Sequence, residues 1–149
     1  MRGDIEPLLA RVTKAARYTG GEWNSVVKDW DATPVRVLLT YPDVYDIGQS
    51  NLGLNILYDL LNRQEDVLCE RALCTVAGHG SGDARHRYAV VELKTAGRQA
   101  RVRRGGASPS YEMTYTNVLN MLDLAGVPVL ADERQDGDPL VIAGGSGAL

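Results

Sequence analysis

Residues 35–61 read VRVLLTYPDVYDIGQSNLGLNILYDLL, and they contain a predicted strand, a loop and a helix in succession. The β-branched apolar run Val35–Tyr41 is closed by Pro42, a pattern typical of a strand that is buried on both faces. Apolar residues then recur at helical spacing, at Leu54, Leu57, Tyr58 and Leu61. Either Ser50 or Asn51 can cap this helix. The order predicts the first half of a βαβ unit.

Regular patterning fails in the middle of the chain and returns near its end. From about Ala72 to Gly106, glycines and arginines interrupt every apolar period, and the sequence predicts no element there. A helical face then begins, and Gly126 stands where a C′ glycine would end its helix. That face consists of Tyr111, Tyr115, Val118, Leu119 and Leu122. Two further strands are predicted, at Val127–Leu130 and at Pro139–Ala143.

Together these elements predict an α/β fold, an incomplete Rossmann-like parallel sheet with flanking helices. Residues 1–33 are predicted to form an N-terminal extension with a short helix at Ile5–Ala16, and residues 34–149 a partial α/β domain. The last predicted strand runs into Gly144-Gly145, and the sequence stops four residues later. A doubly wound fold has a helix at that point, so we expect an incomplete domain.

Composition excludes some classes of protein. With 149 residues, of which 44% are apolar and 23% charged, the chain suits one soluble domain. No apolar run approaches the roughly 20 residues that cross a bilayer, and the N-terminus lacks a secretory signal. We therefore expect a cytoplasmic protein with no membrane partner. Cys69 and Cys74 are the only cysteines, and in that compartment two free thiols are expected.

Charge is distributed unevenly along the chain. Between Arg71 and Gly106 there are eight basic and two acidic residues, a local charge of +6 within a chain whose net charge is −3. The cluster Arg98–Arg104 could bind RNA phosphates, but it has no interleaved aromatic residues, and a solvated charged surface is the alternative interpretation. The negative net charge argues against a general nucleic-acid binder.

Candidate ligand contacts follow the first and last predicted strands. Asp43, Ser50 and Asn51 lie in the loop after the first strand, and Gly144 and Gly145 follow the last one, where open α/β sheets contact their ligands. Helix capping and turn formation are the alternative roles for these five residues. Both cysteines and both histidines lack the spacing of a metal site, and no catalytic set can be assembled. The sequence thus predicts neither a metal site nor catalysis.

Several long segments resemble the N-terminal domain of a family of radical S-adenosylmethionine proteins, whose first domain is often described as cobalamin-binding-like. They are spread over regions that together make up about two thirds of the chain, and they read YTGGEWNSVVK (18–28), PDVY (42–45), Gly48, SNLG (50–53), YEMTYTNVLNML (111–122) and VIAGG (141–145). The resemblance implies an accessory domain that precedes a catalytic barrel.

The resemblance also implies which cofactors the intact relative uses. In the family's barrel, a C-x-x-x-C-x-x-C loop holds a [4Fe-4S] cluster and leaves one iron site for S-adenosylmethionine. Neither that motif nor the D-x-H-x-x-G motif of cobalamin-ligating domains occurs in this sequence. We therefore expect that this chain itself binds no cofactor and that the missing barrel is its partner. The sequence gives no support for cobalamin binding.

The sequence departs from the family between about residues 73 and 106. There the family has the sequence Pro-Trp-Pro-Asp-Met-Glu and, later, the sequence Phe-Asp-Val-Val-Gly. If each codon is read one base later, permissible codon choices allow Cys74–Gly80 to encode a sequence that contains Pro-Trp-Pro-Asp-Met-Glu. In the same way, Val102–Gly106 can encode Phe-Asp-Val-Val-Gly. We therefore hypothesise that residues 73–106 are out of frame and irregular, which also explains the local excess of arginine.

Two other functions are compatible with the sequence. The chain could be a small independent α/β module that binds a nucleotide or a protein, which requires a cooperative unfolding transition. It could also be a basic RNA-binding adaptor that uses Arg98–Arg104, which requires salt-sensitive RNA binding.

Overall fold

The computed structural model describes Lys14, Ala16, residues 21–74 and residues 104–145. In chain order these contain four strands, three α-helices and two 3-10 turns. Their bounds are β1 Val35–Tyr41, α1 Tyr45–Ser50, α2 Leu52–Asn62, β2 Val67–Leu73, β3 Arg104–Ala107, a 3-10 turn Glu112–Thr114, α3 Tyr115–Leu124, a 3-10 turn Ala131–Glu133 and β4 Leu140–Ala143. The expected helix Ile5–Ala16 lies almost wholly outside the described residues.

The four strands form one parallel sheet in the order β2-β1-β3-β4. In its register, Leu38 of β1 is paired with Glu70 of β2 and Gly105 of β3, and Gly105 is paired with Val141 of β4. A parallel sheet with helices connecting its strands confirms the predicted Rossmann-like α/β class. Strand β1 is the buried strand that its apolar run predicted, and β1, α2 and β2 complete a βαβ unit.

Apolar side chains fill both faces of this sheet. On one face, strands β1 and β2 pack against α2, through a cluster of Leu39, Tyr41, Leu54, Tyr58, Cys69 and Leu73. The other face is packed against α3 and the segment before β1, through Trp30, Leu38, Leu68, Ala72, Cys74 and Met121. The two cysteines are buried free thiols, as predicted, and they lie in different clusters.

The segment before β1 also closes the outer edge of β2. Tyr58 accepts a hydrogen bond from the Val26 amide at its hydroxyl, 2.7 Å away. The Lys28 ammonium donates to the Val67 carbonyl of β2 at 2.7 Å. The Arg71 guanidinium stacks over the Tyr58 ring at 4.1 Å and donates to Asn24 Oδ1 at 3.2 Å. The described part of the expected N-terminal extension is therefore packed onto the domain.

Helix ends follow the capping signals in the sequence. Asn51, rather than Ser50, caps α2, since its Oδ1 accepts the Leu54 amide at 2.9 Å. Helix α3 ends at Leu124, and Gly126 takes the C′ position after it with a φ of 68°. The Val127 amide donates to the Leu122 carbonyl at 2.9 Å, which is the 6→1 hydrogen bond of a Schellman motif. The C′ glycine predicted from the sequence is confirmed.

The predicted strand Val127–Leu130 is wrong. The Val127 amide is used to end α3, and Pro128 has no amide hydrogen to donate to a neighbouring strand. The carbonyls of Pro128 and Val129 accept the Arg134 guanidinium at 2.9 and 3.1 Å instead. These residues form an irregular connection to the 3-10 turn.

Three other expectations need correction. The loop expected after β1 contains the short helix α1. On α3, Tyr115 and Leu119 are exposed, whereas Met121 is buried against the sheet. Strand structure also enters the window 73–106 at both ends, because Leu73 ends β2 and Arg104 begins β3. An irregular conformation is therefore not found at those ends, and residues 75–103 lie outside the described part.

Among the described residues, no helix has both the length and the apolar character needed to cross a membrane.

Candidate functional site

The carboxyl ends of the four strands meet at one edge of the sheet, because all strands are parallel. Strand β1 connects through α1 and α2 to β2 on one side, while β3 lies on its other side. In open α/β sheets, such a change of direction opens a crevice that ligands use. The switch point of this sheet therefore lies between the ends of β1 and β3.

Three of the five candidate residues follow the strands that end at this edge. Asp43 comes two residues after β1, is half-buried and accepts the Val44 amide at 2.7 Å. The Gly144 amide donates to the Ala107 carbonyl at 3.0 Å, which continues the pairing of β3 with β4. Gly145 has a φ of 111°, and a Cβ there would lie 3.2 Å from Ser108 Oγ. A side chain at Gly145 would thus be strained and crowded.

The other two candidates serve the helices. Ser50 donates its hydroxyl to the carbonyls of Asp46 and Ile47, at 2.9 and 3.0 Å. Asn51 is the cap of α2 described above. Both side chains therefore have the local roles that the sequence offered as the alternative to ligand contact.

The structure adds residues that the sequence did not single out. Ser110 Oγ lies 2.5 Å from the Tyr41 hydroxyl, and the Ser108 amide donates to the Thr40 carbonyl at 3.1 Å. Asn117 Nδ2 donates to the Pro42 carbonyl at 2.9 Å. These bonds join the ends of β1 and β3 and tie α3 to them. Their only sequence signal is a Ser-Pro-Ser turn after β3, which is hidden because β3 itself has no strand-like pattern.

An apolar cavity of about 60 Å³ lies between the sheet and α3. Thr40 supplies a hydroxyl to its lining, and that hydroxyl already donates to the Gly106 carbonyl at 3.0 Å. Small residues contribute much of the rest. The described residues that line the cavity are Leu38, Thr40, Ala72, Gly105, Gly106, Ala107, Val118, Met121, Leu122, Ala125, Val127, Pro139 and Val141.

Both thiols are held in protonated form by their surroundings. Burial raises the pKa of the Cys69 thiol from its ordinary value of 9.0 to about 12, because the thiolate would lose its hydration. Burial likewise raises the pKa of the Cys74 thiol, and the Asp43 carboxylate nearby adds to the effect. Neutral thiols on opposite faces of a sheet are poor nucleophiles and poor metal ligands.

Residues 53–149 match the family described as radical SAM proteins, N-terminal. The chain belongs to this family. No curated protein and no solved structure matches it significantly. As a radical SAM N-terminal domain, it has the parallel α/β sheet described above, with the switch point between the ends of β1 and β3.

The iron–sulfur cluster that the family implies for the intact protein does not fit this radical SAM N-terminal domain. The sequence has two cysteines, and both side chains are buried on different faces of the sheet. Within residues 21–74 and 104–145, no three histidine, cysteine or acidic side chains converge on a point where a metal ion could bind. Holding a [4Fe-4S] cluster takes three or more thiolates from one neighbourhood. The two cysteines of this chain therefore do not supply such a set.

Proposed function

We propose that this chain is a non-catalytic accessory domain that supports the radical SAM barrel of the same protein. The observation that carries the proposal is the family match over residues 53–149, together with the lack of a cluster-binding set of thiols. The barrel binds the [4Fe-4S] cluster and S-adenosylmethionine, and this domain contributes surface and position. We place the intact protein in the cytoplasm, where reduced thiols persist.

The carboxyl edge of the sheet is the proposed contact with the barrel or with a ligand held between the two. Asp43, Gly144 and Gly145 lie at this edge. Ser50 is the last residue of α1, and Asn51 caps α2, the helix that follows. The half-buried Asp43 carboxylate supplies a negative charge beside the switch point. Exposed backbone at the two glycines allows close approach of a partner.

Cluster chemistry tests this proposal. Iron and sulfide are supplied under reducing, oxygen-free conditions both to the 149-residue chain and to the intact gene product. We expect cluster absorbance in the intact protein alone. The variant Cys69→Ala of the intact protein, combined with Cys74→Ala where codon 74 is read as cysteine, is expected to keep the full cluster content. Loss of the cluster in this variant, or a cluster in the chain alone, would contradict an accessory role.

We further propose that residues 73–106 are the product of a displaced reading frame, so that the intact domain has a different middle. The support is the family text that a one-base shift recovers at both ends of this window. The nucleotide sequence from codon 73 to codon 106 tests the idea directly. We expect the shifted frame to encode Pro-Trp-Pro-Asp-Met-Glu and Phe-Asp-Val-Val-Gly. Codons that forbid these words would overturn it.

A further inference from the structure

Strand β3 has an unusual composition for its place in the sheet. It lies between β1 and β4 and pairs with both, yet its four residues are Arg104, Gly105, Gly106 and Ala107. Strands with neighbours on both sides are normally rich in valine, isoleucine and leucine. Glycine in a strand interior costs conformational entropy and leaves nothing to pack against the adjacent helix.

The two glycines of β3 differ in the space around them. A Cβ on Gly105 would have no neighbour nearer than the Leu140 carbonyl oxygen, at 3.9 Å. A Cβ on Gly106 would lie 3.4 Å from Leu39 Cδ2, a side chain that is itself buried in the α2 cluster. Position 105 therefore has open space for a side chain, whereas a Cβ at position 106 would already be in contact with Leu39.

The room at position 105 is the cavity under α3. Gly105 is paired with Leu38 and Val141, and all three residues line this cavity. Residues paired across parallel strands share one face of the sheet, so a side chain at 105 would extend into this space toward Met121 of α3. About 10–15 Å³ of such volume holds one water-sized group. A cavity of about 60 Å³ therefore has space for the three carbon atoms of a valine side chain.

We infer that the cavity under α3 is an unfilled core position, and that a β-branched side chain at position 105 completes the packing of α3 on the sheet. The inference rests in part on the proposed frame displacement, since the shifted text Phe-Asp-Val-Val-Gly places valine at 105 and glycine at 106. The room at position 105 is observed without reference to the reading frame, and the shifted sequence agrees with it, since the glycine with open space becomes valine.

The test is the substitution Gly105→Val in the full 149-residue chain, followed by thermal unfolding with circular dichroism. Filling the cavity and removing an interior glycine are expected to raise Tm by about 5–10 °C. Gly106→Val is the matched control inside the strand and is expected to lower Tm, because its side chain meets Leu39. Gly137→Val, in an exposed turn with no neighbour near its Cβ, controls for the general effect of replacing glycine.

If the original chain shows no cooperative transition, the appearance of one in the Gly105→Val variant supports the inference. An unchanged or lower Tm for Gly105→Val, or a continued lack of any transition, would overturn it. So would an equal rise for Gly105→Val and Gly137→Val. The nucleotide sequence tests the frame proposal separately. If Gly105→Val raises Tm but the codons do not allow the shifted sequence, the cavity inference is supported and the frame proposal is wrong.

Discussion

Replacing Asn62 by leucine is expected to lower the free energy of unfolding by about 2–4 kcal/mol, although the two side chains are similar in size. The Asn62 side chain is 7% exposed and joins α2 to β2. Its Nδ2 donates to the carbonyls of Cys69 and Tyr58 at 3.0 and 3.1 Å, and its Oδ1 accepts the Cys69 amide at 3.0 Å. Leucine would leave the amide and carbonyl of Cys69 buried without partners, and each such group costs about 1–3 kcal/mol.

Urea unfolding of the Asn62→Leu variant measures this cost. Asp59→Leu is the matched control on the same helix, since Asp59 is exposed and its ion pair with Arg63 contributes little. We expect the control to change the free energy of unfolding by less than about 1 kcal/mol. If the two variants had the same stability, the bridge from Asn62 to Cys69 would not stabilise the attachment of β2 to α2.

A second large effect is expected from pH. The Cys69 thiol stays protonated in the folded chain up to about pH 12, whereas the thiol of an unfolded chain ionises near its ordinary value of 9.0. Above that value the unfolded chain therefore binds fewer protons than the folded one. Stability contributed by this thiol is fully present below pH 9, and it is lost at up to about 1.4 kcal/mol per pH unit as the pH rises toward 12.

Unfolding measured at pH 8, 9.5 and 11 tests this expectation. Burial also raises the pKa values of Tyr58 and Cys74, so part of the alkaline loss will persist in any single variant. The Cys69→Ala variant is expected to lose stability less steeply with pH than the original chain, whatever its stability at pH 8. Cys74→Ala retains the contribution of Cys69. An identical pH slope in Cys69→Ala and the original chain would show that this thiol is not the titrating group.

The elements that could be predicted from sequence are those whose signals are local. Strand β1 has a continuous apolar run, α2 has a cap and an apolar face, and Gly126 ends α3. Strand β2 cannot be predicted from the sequence, because Glu70 and Arg71 interrupt its apolar pattern. Arg71 is 5% exposed and lies in a strand because the Tyr58 ring and two asparagine side chains accommodate its charge, and those partners come from distant parts of the sequence.

Strand β3 and the switch point beside it depend even more on tertiary contacts. No side chain of Gly105 or Gly106 favours a strand, so only pairing with β1 and β4 defines this element. Ser108 and Ser110 could not be placed from sequence either, because they lie at the switch point only as residues that follow β3. Asp43, Gly144 and Gly145 could be placed at the carboxyl edge from sequence, because each follows a recognisable strand.

Side chains occupy the outer edge of β2, and this determines which edge of the sheet can accept a further strand. Lys28 and Asn62 already bind the outward-facing backbone groups of Val67 and Cys69, so an incoming strand would have to displace both side chains. Within the described residues, β4 pairs with a strand on one side alone. Any strand that the rest of the protein adds, or that a second molecule donates, is therefore directed to the flank of β4, and aggregation through β2 is suppressed.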